Sequence, residues 1–132
     1  MKPALIAILA LAAAPAAAQT RGPVERQALV DLSYVLGESH ALRQACEGED
    51  DQYWRARMIR LVELEAPDES LDRRLRTAFN TGYSTARAAH PRCDAAGRAE
   101  AARAAVRGRA LALRLSQAVD PPDTIAGVTR PR

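Results

Sequence analysis

Apolar residues recur at every third or fourth position along most of the chain, and no stretch alternates apolar and polar residues with a period of two. This spacing places apolar side chains on one face of an α-helix and is not that of a β-strand. Four such segments follow one another, and we predict an all-α fold of four helices. The apolar faces of the first three helices contain Leu29, Leu32, Val35, Leu36 and Leu42; Trp54, Met58, Leu61 and Val62; and Leu71, Leu75, Ala78, Phe79, Gly82 and Ala86.

Proline, glycine and capping residues mark the ends of the first two predicted helices. Pro23 suits the first turn of helix one, and Gly48 ends that helix. An aspartate at position 50 or 51 is placed to cap helix two. That helix ends at Ala66, because a residue that precedes proline avoids helical geometry.

The same signals bound the last two helices. Helix three begins at Asp68 or Ser70 and ends at the His90-Pro91 pair. Helix four is capped by Asp94 and extends to about Val119. Residues 121–132 begin with two prolines, and we predict a disordered C-terminal tail there after a helical domain over 19–120.

The short connections determine how the helices are arranged. Helices joined by a few residues are antiparallel neighbours, so the chain is predicted to form a small up-down antiparallel four-helix bundle. Cys46 lies at the end of helix one and Cys93 just before helix four, and in this topology both positions are at the same end of the bundle. We therefore predict one disulfide between Cys46 and Cys93, with two free thiols as the alternative.

The first 18 residues have the pattern of a secretory signal peptide. Lys2 is followed by an apolar run over 4–14 and by the small residues that a signal peptidase recognises at 16–18. The run is shorter than the roughly 20 residues that cross a bilayer, so a retained membrane anchor is the less favoured alternative. We predict cleavage after Ala18 and a periplasmic protein without a stable membrane anchor.

Charge and composition exclude some classes of function. The chain of 132 residues has a net charge of +3, and Lys2 is its only lysine. A balance this mild argues against nucleic-acid binding, which requires a concentrated basic patch. With one Trp, three Tyr and one Phe in the chain, the core is expected to be mostly aliphatic.

The fourth predicted helix carries two apolar stripes. Ala99, Ala102, Val106 and Leu113 form one stripe, and Ala104, Gly108, Leu111, Leu115 and Val119 form the other. A spare stripe can bind a partner helix or a second copy of the chain, and we predict such a surface at Leu111, Leu115 and Val119. The alternative is that both stripes contact neighbours inside the bundle.

A polar stripe on helix three is a second candidate surface. Arg76, Asn80 and Arg87 lie along it, and Tyr83 lies at its edge. These side chains are suited to contact an anion or a carbohydrate. The alternative is an ordinary solvated helix face.

The chain offers little for catalysis or metal binding. Ser39 and His40 are adjacent, but neighbouring residues on a helix point about 100° apart, so His40 cannot act as the base for Ser39. No Glu-x-x-His pair of the kind used in di-iron bundles is present. We predict no catalytic residue, no metal site and no cofactor.

Several of these features together resemble a known family. They are the Leu36 to Arg43 segment, Cys46, Trp54-Arg55, Met58, the Phe79 to Tyr83 segment and Cys93. Over about residues 28–115 the chain resembles small exported alphaproteobacterial proteins that share a domain of unknown function. The resemblance implies a signal peptide, a helical domain and a cysteine pair, and it brings no activity with it.

Three functions follow, in order of preference. The first is a non-enzymatic protein-interaction or envelope-maintenance module of the periplasm. The second is a carrier that holds a small molecule or metal between its helices, where small residues such as Ser39 and Gly82 leave space. The third is an enzyme that uses His40 or Tyr83, which only the chemistry of these two side chains supports.

Overall fold

A computed structural model describes residues 21–118, and within this range the chain is helical, with no strand. Helix α1 spans Pro23–Glu47, α2 spans Tyr53–Glu65, α3 spans Glu69–Ala89 and α4 spans Ala95–Gln117. The four helices pack together, and a disulfide joins Cys46 to Cys93. The predicted all-α fold, its helix count and its disulfide are confirmed.

The helix ends follow the local signals closely. Gly48 ends α1 with a φ of 106°, a backbone conformation that glycine adopts at little cost. Asp68 caps α3 by accepting a hydrogen bond from the Leu71 amide, and Asp94 caps α4 by accepting one from the Gly97 amide.

Helix α2 differs slightly from its prediction. Its N-cap position is Gln52, whose side chain makes no capping bond. The Asp51 carboxylate instead accepts a hydrogen bond from the Tyr53 amide at 3.1 Å, so the predicted aspartate acts one position before the cap. At the other end, Ala66 adopts a left-handed conformation with a φ of 42° before Pro67.

Helix α1 is the central element, because α2, α3 and α4 all make their main backbone contacts with it. Every residue from Val35 to Leu42 is buried, so the neighbouring helices leave only narrow openings over α1 there. Helix α3 runs parallel to α1, whereas α2 and α4 run antiparallel to it, as an up-down topology requires. The pairs that define these directions are Gln27–Arg74 and Gln44–Tyr83 for α3, Arg21–Glu65 and Arg43–Asp51 for α2, and Glu38–Arg107 and Cys46–Cys93 for α4.

Two glycines allow α1 and α3 to approach closely. A Cβ atom at Gly37 of α1 would overlap the Phe79 carbonyl group of α3, and a Cβ atom at Gly82 of α3 would overlap the Tyr34 carbonyl group of α1. No larger residue fits at either position without separating the helices. This reciprocal contact explains why a glycine lies in the interior of α3, where it lowers helix propensity by about 1 kcal/mol.

The main core lies toward the end of the bundle where α1 begins. Leu29 and Leu75 are fully buried at its centre. The buried members of this cluster are Ala28, Leu29, Leu32, Leu36, Met58, Leu71, Leu75, Phe79 and Leu115. As composition predicts, Phe79 is the single aromatic residue among them.

Some predictions concern residues that the structure does not describe. The signal peptide over 1–18, the last predicted turn of α4 at Val119 and the tail over 121–132 lie outside the described range. Within residues 21–118, no helix has the length and apolar character needed to span a membrane.

Candidate functional site

The disulfide fastens one end of the bundle. Cys46 lies in the last turn of α1 and Cys93 in the connection to α4, with their Cα atoms 4.8 Å apart. Both residues are exposed. The bridge therefore holds the first turn of α4 against the last turn of α1, next to a small buried cluster of Ala41, Leu42 and Ala86 against which Ala101 of α4 packs. Such a disulfide is typical of proteins in an oxidising compartment.

The two predicted stripes of helix α4 differ in exposure. Leu115 is only 7 % exposed and belongs to the main core, and Leu111 is partly buried against that core. The structure thus uses these two predicted interface residues inside the fold. Val106 and Leu113 of the other stripe face solvent, at 71 % and 51 % exposure.

An apolar groove separates α2 from α4. These two helices lie on either side of α1 without a close backbone contact, and α1 forms the floor between them. The groove contains a cavity of about 390 Å³ that opens to solvent. The floor is formed by Leu32, Val35, Leu36 and Ser39 of α1, one wall by Trp54 and Leu61 of α2, and the other by Ala104, Ala105, Gly108 and Ala112 of α4.

The groove continues toward the disulfide. A second cavity of about 230 Å³ shares Ser39, Trp54 and Ala105 with the first and reaches Cys46. The two together follow α1 from Leu32 to Cys46, which is about 20 Å along a helix axis. We call this continuous feature the α2–α4 groove.

The rim of the α2–α4 groove is positively charged. Arg57 and Arg109 border the first cavity, and Arg43 and Arg98 border the second, which Glu47 also lines. Within residues 21–118, Arg109 has no ion pair. The Arg57 guanidinium stacks on the Tyr53 ring at 3.4 Å from its centroid and has no carboxylate partner in the same range.

The polar stripe predicted on α3 divides into two parts. Tyr83 and Arg87 connect α3 to the end of α1: the Tyr83 hydroxyl donates to Gln44 at 2.8 Å, and Arg87 pairs with Glu49 at 2.7 Å. Hydrogen bonds from Arg87 to the Tyr83 oxygen and to Glu49 raise the pKa of Arg87. These two residues are therefore engaged within the fold.

The other part of that stripe borders a second groove. Arg76 and Asn80 are exposed on α3 and, together with side chains of α2, line a cavity of about 390 Å³. We call this feature the α2–α3 groove. Helix α2 thus forms a wall of both grooves, one on each side.

His40 lies beside the α2–α3 groove but is enclosed by the fold. It is 3 % exposed, and its ring lies 5.8 Å from that of Phe79 and 5.4 Å from that of Tyr83. Its Nδ1 atom has no hydrogen-bond partner among residues 21–118. Burial lowers the pKa of His40, the positive charge of Arg55 lowers it further, and Asp51 opposes this shift. Its neighbour Ser39 lies on the floor of the α2–α4 groove, so the two side chains face different parts of the molecule.

Metal ligands do not converge anywhere between residues 21 and 118, where no three of His, Cys, Asp and Glu are grouped so as to hold an ion. Most residues that border the two grooves were named from their sequence pattern, but as members of helix faces and not as the lining of a groove; Arg57, Ile59, Ala105, Arg109 and Ala112 are among those not singled out. The small residues Ala105, Gly108 and Ala112 are spaced along one side of α4 and are the available signal, because small side chains leave room beside a helix.

Comparison with known proteins identifies a family. The family described as a protein of unknown function, DUF2385, matches residues 23–119. This range covers the four helices and both cysteines. No curated protein and no solved structure matches the chain.

Proposed function

The chain belongs to the DUF2385 family of proteins of unknown function, and from this premise we propose that it is a non-enzymatic protein-interaction module of the periplasm. Its partner is an amphipathic helix with acidic residues flanking an apolar stripe. The α2–α4 groove is the binding site. The observation that carries this proposal is the apolar cavity over α1, which opens to solvent between α2 and α4, two helices without a close backbone contact.

The dimensions of the groove favour a helix as its occupant. Its length of about 20 Å corresponds to about four helical turns. Amphipathic helices bind such grooves through apolar side chains at positions i, i+3, i+4 and i+7. The α4 wall contains the small residues Ala105, Gly108 and Ala112. Because their side chains project little, the backbone of the partner can approach α4 closely.

The charges on the rim favour acidic flanks. Arg57 and Arg109 lie on opposite walls, one on α2 and one on α4, and neither has a carboxylate partner within residues 21–118. Glutamates on both sides of an apolar stripe would pair with them. Complementary charge of this kind increases the association rate and discriminates against basic partners.

Two features support a periplasmic location. The first 18 residues have the composition of a signal peptide with cleavage after Ala18, and an exposed disulfide is expected to persist in an oxidising compartment. Intact mass spectrometry of the protein from the periplasmic fraction should give a chain that begins at Gln19. A mass that retains residues 1–18 contradicts this part of the proposal.

Binding of designed peptides tests the groove directly. The probes are two fluorescent 18-residue amphipathic helices with the same leucine stripe, flanked by glutamate in one and by lysine in the other. We expect saturable binding of the glutamate peptide, measured by fluorescence anisotropy, and weaker binding as salt increases, because its charges pair with arginines. Equal binding of both peptides, or of neither, contradicts the proposal.

Matched substitutions on α4 locate the binding site. Ala105→Trp fills the groove and should abolish binding, whereas Ala102→Trp places the same side chain on the exposed stripe and should leave it unchanged. Arg109→Glu should weaken binding more than Arg114→Glu, which lies outside the groove. The far-UV circular dichroism of each variant confirms that the helices are retained. Loss of binding in Ala102→Trp as well would show that the peptide does not bind in this groove.

A further inference from the structure

The α2–α3 groove lies on the other side of α2 and has a different chemical character. Its deepest parts are apolar, because Met58 and Phe79 are buried there and Val62 is half-buried beside them. Ile59 adds an apolar wall that is 53 % exposed. A volume of about 390 Å³ falls in the range of small-molecule sites, which are mostly apolar with a few polar groups that orient the ligand.

One end of the α2–α3 groove carries an uncompensated positive charge. Arg55 lines it, and within residues 21–118 its guanidinium makes neither an ion pair nor a side-chain hydrogen bond. The side-chain amide of Asn80 lines the same groove and likewise has no hydrogen-bond partner within residues 21–118. Both residues lie near His40. The positive charge of Arg55 lowers the pKa of His40, and the ring of Phe79, which precedes Asn80, lies 5.8 Å from the His40 ring.

The other charged groups of this groove are already engaged. Arg76 pairs with Asp72 at 2.8 Å, which raises the pKa of Arg76, and Glu63 pairs with Arg60 at 3.3 Å. The free hydrogen-bond donors are therefore concentrated at the Arg55 end. From there the apolar floor follows α2 to Val62, about 10 Å along the helix axis.

We infer that the α2–α3 groove binds a small amphipathic carboxylate, with the carboxylate on Arg55 and Asn80 and the apolar chain along Met58, Val62 and Phe79. The planar guanidinium of arginine matches a carboxylate through two parallel hydrogen bonds, and the Asn80 amide supplies a further donor. The apolar chain leaves water as it covers the floor between α2 and α3. This site is separate from the α2–α4 groove and does not depend on the proposed partner helix.

The probes for this site are octanoate, octylammonium and acetate, each titrated into the full mature protein below the concentration at which micelles form. We expect saturable binding of octanoate by isothermal titration calorimetry at pH 7. Octylammonium has the same chain with the opposite charge, and acetate has the carboxylate without the chain, so both should bind at least tenfold more weakly. No saturable octanoate binding, or equal binding of octylammonium or acetate, overturns the inference.

Paired substitutions on α2 separate this site from the other groove. Arg55→Gln should weaken octanoate binding roughly tenfold to a hundredfold, because a hydrogen bond to a charged group is lost. Arg57→Gln removes a guanidinium of the same helix that lines the α2–α4 groove, and it should weaken peptide binding but not octanoate binding. Octanoate binding that is unchanged in Arg55→Gln overturns the inference, whatever the result with the peptide.

A second pair tests the apolar part of the site on exposed positions, where folding is not at risk. Ile59→Ser removes a groove wall, and Leu64→Ser makes the same kind of change at a residue of α2 that is 67 % exposed and outside the groove. We expect weaker octanoate binding in Ile59→Ser alone. Equal effects of the two substitutions would show that the chain of the ligand does not lie along this wall.

Discussion

The two sides of α1 are built in different ways. Toward α3, the backbones touch at Gly37 and Gly82, and six residues of α3 are buried in the contact or beside it. Toward α2, one residue of the outer helix, Met58, is buried, and Trp54 and Leu61 are only partly covered. The parallel pair of α1 and α3 is thus the closely packed part of the molecule, which we expect to be its rigid part, and α2 is packed more lightly on its surface.

This difference indicates where binding is possible. A contact closed by two backbones leaves no space for a ligand, and interiors packed at this density tolerate little change. A lightly held helix with a groove on each side exposes apolar surface and can adjust to a partner. Both proposed sites therefore use α2, and neither uses the contact between Gly37 and Gly82.

Breaking the disulfide should have the largest effect on stability, because the bridge holds the start of α4 against the end of α1. Closing a loop with a sequence separation of 47 residues is worth about 4 kcal/mol in the chain-entropy model. We expect Cys46→Ser, or reductant added to the wild type, to lower the melting temperature by roughly 10–25 °C. Thermal unfolding followed by circular dichroism measures this shift.

The disulfide experiment has an internal control and a local readout. Reductant should have no effect on Cys46→Ser, which lacks the bridge already. Hydrogen exchange should increase first in the opening turns of α4 and least in the middle of α1, where α3 still covers it. A wild-type melting temperature that reductant does not change would contradict the stabilising role of the bridge.

Adding one methyl group at the contact between α1 and α3 should have the next largest effect on stability. In Gly82→Ala the new Cβ overlaps the Tyr34 carbonyl of α1, so the two helices must separate. We expect a loss of about 1–3 kcal/mol in the free energy of unfolding, even though alanine favours helix. Urea denaturation at pH 7 measures the loss.

Gly108→Ala is the matched control for this substitution. Its Cβ would meet only the Val35 side chain, at 3.3 Å, and the site opens into the α2–α4 groove. Since a small movement of that side chain relieves the contact, the free energy of unfolding should stay constant or rise by up to about 1 kcal/mol. Equal destabilisation by both substitutions would show that α4 packs against α1 as closely as α3 does.

Much of the fold could be predicted because its signals are local. Asp94 and Gly48 mark helix ends through their own side-chain and backbone chemistry, and each acts as predicted. Asp68, one of the two residues predicted to begin α3, is its cap. The disulfide followed from topology alone, since short connections bring the end of α1 and the start of α4 together. The apolar face of α3 was also predicted in full, because a single stripe leaves only one way to face the core.

The candidate sites were harder to predict, because they depend on the positions of the helices around α1. The periodicity of α4 identifies two stripes, but not that Leu115 enters the core while Val106 faces solvent. A groove between α2 and α4 is a space between helices, and no residue pattern specifies such a distance. The small residues Gly37, Ser39 and Ala41 could have indicated that other helices pack closely around the middle of α1.

The smallest effect that we predict is a pH dependence of the free energy of unfolding. It arises at His40, where α1, α2 and α3 meet. His40 belongs to α1, contacts Phe79 and Tyr83 of α3, and lies near Arg55 of α2. Burial and then the charge of Arg55 lower the pKa of His40 below the ordinary value of 6.5. Below pH 6.5 the unfolded chain therefore binds a proton at this position more readily than the folded chain, so stability should fall as the pH falls.

Urea denaturation between pH 7.5 and pH 5 measures this dependence. His40→Phe keeps a ring against Phe79 and removes the group that takes up the proton, together with its Nδ1 atom. The free energy of unfolding of this variant should therefore decline less than that of the wild type as the pH falls. His90→Gln removes the only other histidine and should leave the wild-type decline in place. If His40→Phe declines as steeply as the wild type, the proton is not taken up at His40. A shallower decline in Arg55→Gln would show that α2, although lightly held, contributes to the charge balance at the centre of the fold.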